Sequence, residues 1–62
     1  MNDKQVINIL MDMIWDNFGG EGEMAVSFMV NKGIPANVIA EYYGKSETAE
    51  YLQKAKELDM LD

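Results

Sequence analysis

A chain of 62 residues with no Cys and no His excludes a disulfide framework and the familiar zinc sites. It also sits where the hydrophobic gain of one core roughly cancels the entropy cost of ordering the chain, so that oligomerisation is a usual staple. Eleven acidic residues face five lysines and no arginine, so the net charge of −6 repels phosphate backbones and a nucleic-acid reader would have to rely on Lys4, Lys32, Lys45, Lys54 and Lys56 alone; the acidity serves solubility or an acidic surface for a basic partner.

The first helix is predicted from about Asp3 to Phe18, with Asp3 as its favourable first-turn charge or cap and Gly19-Gly20 as its stop. Its apolar residues between Val6 and Phe18 cover roughly 240° of the circumference, against the 100° or somewhat more of an ordinary surface helix. Only Gln5, Asn8, Asp12 and Asp16 form a polar strip. One small core cannot bury both flanks of such a helix, so the surplus implies a second copy or a partner protein. The flanks nearest the polar strip are the candidate interface, Ile9 and Met13 on one side and Met11 and Trp15 on the other. Trp15 gives the second flank the larger anchor, and Trp15→Glu, or failing that Ile9→Glu, is expected to give a folded monomer. No apolar run in this helix exceeds three residues, and Asn2, Asp3 and Lys4 follow Met1 in place of a signal-type core, so one helical domain over residues 1–62, cytoplasmic and without membrane contact, is expected.

The second helix is predicted from Glu21 or Glu23 to Lys32, ending at Gly33. The pairs Met24 with Phe28, Ala25 with Met29 and Val26 with Val30 wrap most of it and leave Glu23, Ser27 and Asn31 as a polar edge. This is the expected central helix, with Met24 and Met29 in the core. Pro35 starts a short third helix, Ala36 to Tyr43, because proline suits a first helical position and disfavours helix at Ile34. Adjacent Tyr42 and Tyr43 point about 100° apart, so one of them is expected at the surface or an interface.

Gly44 ends the third helix with an expected positive φ, and Ser46 is the expected N-cap of a fourth helix from Glu47 to Leu58 or Met60. Thr48, Tyr51, Leu52, Ala55 and Leu58 form its apolar stripe, and Glu50, Gln53, Lys54 and Glu57 its solvated face. Strand-like alternation, internal repeats and long linkers are missing.

Catalysis is poorly supported, since His, Cys and Arg are absent and neither Ser27 nor Ser46 has a candidate base. The run from Asp16 to Glu23 has the carboxylates and glycines of a calcium loop, but Phe18 and Gly20 stand where oxygen ligands belong. Gly19-Gly20-x-Gly22 lacks the strand and Lys of a phosphate loop. No metal or cofactor is therefore expected.

The segment from Val38 to Ala49 resembles the middle of a DNA-binding helix-turn-helix, in which a small Ala, here Ala40, precedes the turn Gly, here Gly44, by four residues. Lys45 and Glu50 depart from the apolar positions of that pattern, and Glu47 and Glu50 would face phosphate; the packing logic of a plain helical hairpin accounts for the same residues. The stretch from Asn31 to Tyr43 is similar to the helix, Ile-x-Pro turn and helix of small bacterial antirepressors of the SinI kind, with Pro35 following Ile34 directly. That resemblance implies a regulator acting by heteromeric helix packing. The combined expectation is an all-α bundle of four short helices with a helix-turn-helix-like hairpin in its C-terminal half. It forms a homodimer through the first helix and acts as a non-catalytic interaction module, a small acidic regulator or inhibitor of the type made by phages and mobile elements. The alternative is a DNA-binding transcriptional regulator.

Overall fold

Local signals set the ends of each helix. The computed structural model describes all 62 residues and contains α1 (Asp3–Asn17), α2 (Gly22–Asn31), α3 (Ala36–Tyr43) and α4 (Lys45–Glu57), with no strand. α1 is capped by Asn2, whose Oδ1 accepts the Gln5 backbone N–H at 2.9 Å while Gln5 Oε1 accepts the Asn2 backbone N–H at 2.8 Å. This reciprocal box replaces the expected cap at Asp3, and its sequence pattern is Asn-x-x-Gln. α1, α2 and α4 end alike: the N–H groups of Gly20, Ile34 and Met60 reach back to the carbonyls of Trp15, Met29 and Ala55, with Gly19, Gly33 and Asp59 at positive φ between helix and bond. These paired bonds satisfy carbonyls that a helix end otherwise leaves without partners.

α2 supplies most of the interior. Gly22, Ala25, Val26, Ser27 and Met29 account for five of the nine buried residues, and α4 packs along α2 more extensively than any other pair of helices meets. Met29, Ile39 and Val26 are the largest fully buried side chains, each stabilising the fold by about 1.5–3 kcal/mol through apolar burial. The radius of gyration is 11.1 Å, against about 10.6 Å for a folded chain of this length.

Several positions differ from the sequence expectation. Ser46 is not a cap: α4 starts at Lys45, Gly44 occupies the N-cap position with ψ 147°, and the Thr48 N–H bonds to the Gly44 carbonyl at 3.0 Å. A single residue joins α3 to α4, so Ser46 falls inside the first turn. Ser27 leaves the polar edge of α2 and is buried, its hydroxyl satisfied by the Met24 carbonyl at 3.0 Å. Asn31 holds the C-terminal tail, donating to the Met60 carbonyl and accepting from the Asp62 N–H. Met24 and Leu58 are not core residues but exposed ones. Tyr42 and Tyr43 are both half-buried and pack against the core.

Candidate functional site

Of the fifteen residues of α1, Met11 alone is buried. The helix is held along one narrow line. Met11 joins Ala25, Val26, Met29 and Ile39 in the core. The Trp15 ring lies 5.1 Å from that of Tyr43 and 5.7 Å from that of Tyr51, and Phe18 meets Phe28 at 5.4 Å. The Tyr43 hydroxyl donates to the Met11 carbonyl at 2.7 Å. The anchoring line through Met11 and Trp15 lies roughly 80–120° round the helix from the middle of the apolar arc, so the arc faces the core with one edge and leaves the rest uncovered.

What remains uncovered is a continuous apolar stripe. Val6, Ile9, Leu10 and Met13, spaced as successive turns of one helical face, are 41%, 45%, 51% and 60% exposed. Beside the stripe, α1 forms one wall of a groove of about 580 Å³ whose other wall is Phe28, Ile34 and Val38. Ile7, Leu10 and Ile14 line the α1 side, and Met11 reaches the groove from the core. Asn17 is the single polar residue among the ten that line it.

The sequence-derived interface residues therefore separate. Ile9 and Met13 lie on the exposed side of α1; Met11 is buried, and Trp15 is partly buried against the core beside the rings of Tyr43 and Tyr51. Tyr42 and Tyr43 are held against the interior from α3. The groove wall at Phe28, Ile34 and Val38 has no signature in the sequence, because it depends on where the bend at Gly33 to Pro35 places α3 against α1. Phe28 alone carried a clue, since a helix apolar on nearly all sides cannot bury every ring in so small a fold.

The polar strip of α1, Gln5, Asn8, Asp12 and Asp16, remains exposed. Lys32 Nζ stands 5.6 Å from the centre of the Phe28 ring, a distance suited to a cation over a π face. Away from the groove, the Glu23 carboxyl is held below the usual carboxylate range, first by a backbone hydrogen bond at the start of α2 and then by Lys54, whose Nζ is 3.4 Å away. Burial, reinforced by Asp12, pushes the Tyr43 hydroxyl up from its ordinary value. No group of three or more acidic side chains is arranged to hold a metal ion, and no helix is long and apolar enough to cross a membrane. Comparison with protein-family models, curated proteins and solved structures finds no match to this chain.

Proposed function

We propose that this chain is a non-catalytic protein–protein interaction module that works through the uncovered face of α1, a small acidic regulator or inhibitor of another protein. The observation that carries the reading is the stripe of Val6, Ile9, Leu10 and Met13 running along the groove. Four neighbouring large apolar side chains left in water on the least buried helix are stabilised by covering them. The fold supports the stripe without needing it, because Met11, Trp15 and Phe18 attach α1 from the other side. Such a division suits a helix whose two faces serve folding and association separately.

The test compares the wild-type chain with an Ile9→Glu, Met13→Glu double variant of unchanged helical content. Sedimentation over a wide concentration range detects self-association, and capture from lysate of the source cells detects other partners. Association of either kind that the double variant abolishes supports the reading. A wild-type chain that is monomeric throughout and captures nothing sensitive to the two substitutions would overturn it.

A further inference from the structure

Resting on the reading of α1 as an association surface, we infer that the groove between α1 and the Phe28–Ile34–Val38 wall receives an amphipathic helix of another protein, apolar on one face and lined with Lys or Arg beside it. The occupant's shape follows from the lining. Nine of the ten lining residues are hydrophobic, so the groove has no convergent polar groups to orient a small polar ligand. An extended segment would bring backbone N–H and C=O groups that this lining cannot satisfy, whereas a helix satisfies its own. From Ile7 to Phe18 the α1 wall runs about 17 Å at 1.5 Å per residue, enough for three turns of a docked helix. Anchors at i, i+3 or i+4, and i+7 would then meet Ile7, Leu10 and Ile14 in turn.

The occupant's charge follows from the rim. Asp3 precedes Ile7 by one turn and Glu41 follows Val38 by one turn, so a carboxylate stands beside each wall. Lys32, over Phe28, and Lys4, three residues before Ile7, are the cations beside them. Over residues 1–43 the chain carries Asp3, Asp12, Asp16, Glu21, Glu23 and Glu41 against Lys4 and Lys32. A second copy fits this surface poorly. Two-fold antiparallel pairing of α1 lays the Asp12 and Asp16 edge against its own image, and it brings together two chains of net charge −6. Like charges in such register oppose association, whereas a basic partner is steered toward it.

The test titrates labelled helical peptides into the full-length chain at low and physiological salt. One peptide has Leu at i, i+3, i+4 and i+7 with Lys and Arg flanks, a second keeps the Leu pattern with Glu flanks, and a third scrambles the first so that no apolar face survives. The basic amphipathic peptide should bind at least tenfold more tightly than either control and weaken as salt screens the flanks. Leu10→Glu on one wall and Phe28→Ala on the other should each reduce that binding at least tenfold. Asp3→Asn combined with Glu41→Gln should weaken it severalfold, and Leu58→Glu, outside the groove, should not change it. Equal binding of the basic and acidic peptides, equal binding of the scrambled peptide, or failure of all three to bind overturns the inference. So does a wild-type homodimer that Phe28→Ala dissociates, which places a second copy in the groove. That last outcome leaves the association reading standing, and only absence of any association through α1 removes both.

Discussion

The Tyr43 hydroxyl donates a 2.7 Å hydrogen bond to the Met11 carbonyl, joining the last residue of α3 to the middle of α1 across 32 residues of sequence. The same tyrosine packs its ring against Trp15. α1 is thus fastened by a polar tip and an apolar body from one side chain, at the only residue that the helix buries.

Tyr43→Phe keeps the ring and removes the tip. The loss is expected to be about 1 kcal/mol, the usual net value of one intramolecular hydrogen bond. In a domain of this size that lowers Tm by about 4–8 °C. Hydrogen exchange should accelerate most along α1, the helix with the least burial. Uniform acceleration over all four helices would show that the bond stabilises the whole fold and not the α1 attachment.

The same hydroxyl confers a pH dependence. Burial, and secondarily the Asp12 carboxylate, raise the Tyr43 pKa above its ordinary value, so the folded state holds this proton more tightly than the unfolded chain does. Its contribution to stability is complete below the unfolded value near 10 and is lost as pH rises through the higher folded value. Ultraviolet titration of wild type and Tyr43→Phe should differ by one phenolate component with a midpoint above 10. A missing component at or below that value would contradict the burial argument.

Gly44 has φ +94° and ψ 147°, a region open almost only to glycine. A Cβ built on it would also meet the Glu47 carboxylate, although that flexible group can move aside and the backbone cannot. Gly44→Val is expected to lose about 1–3 kcal/mol, the cost of one residue held in such a conformation. An unchanged melting temperature would require the α3–α4 junction to reach a different geometry at no cost.

Gly22 makes a different demand. Its φ is ordinary, but a Cβ there would run into the Tyr51 ring, because the first turn of α2 lies directly against α4. Gly22→Ala should destabilise by about 1–3 kcal/mol through overpacking, and Tyr51→Leu in the same chain should recover part of the loss. Additive losses in the double variant would mean that the ring is not the obstacle.

The elements legible in the sequence are those written in local chemistry. Pro35 and Gly44 bracket α3 at the expected residues, the pairs along α2 mark it as the central helix, and the excess of apolar surface on α1 is real. What the sequence left open was rotational. An arc of roughly 240° does not say which part of it meets the core, and that choice depends on Tyr43 and Tyr51, two side chains far along the chain that converge on Trp15. Ser46 was misread for a related reason: a good capping residue caps only if the chain before it is extended, and the one-residue junction at Gly44 leaves no room. The groove was invisible because its two walls meet only after α3 has folded back.

The rotation of α1 reverses the expected order of two substitutions. The helical projection of α1 alone predicts Trp15→Glu as the variant that yields a folded monomer. With Trp15 packed between the rings of Tyr43 and Tyr51, a carboxylate there loses both aromatic contacts and is placed in a largely apolar setting without a cation. A large aromatic removed from a core costs about 3–5 kcal/mol, and the partly buried charge adds to it. For a chain of this length that approaches or exceeds the whole folding free energy, so Trp15→Glu should lose most of its helical circular dichroism at 25 °C. Ile9 is 45% exposed, and Ile9→Glu can hydrate its carboxylate without disturbing Met11 or Trp15, so its stability should stay within about 0.5 kcal/mol of wild type. Thermal melts of the two variants side by side distinguish the arrangements. A well-folded Trp15→Glu together with an unfolded Ile9→Glu would mean that α1 docks through its other flank, and the surface assigned to association would then be the core.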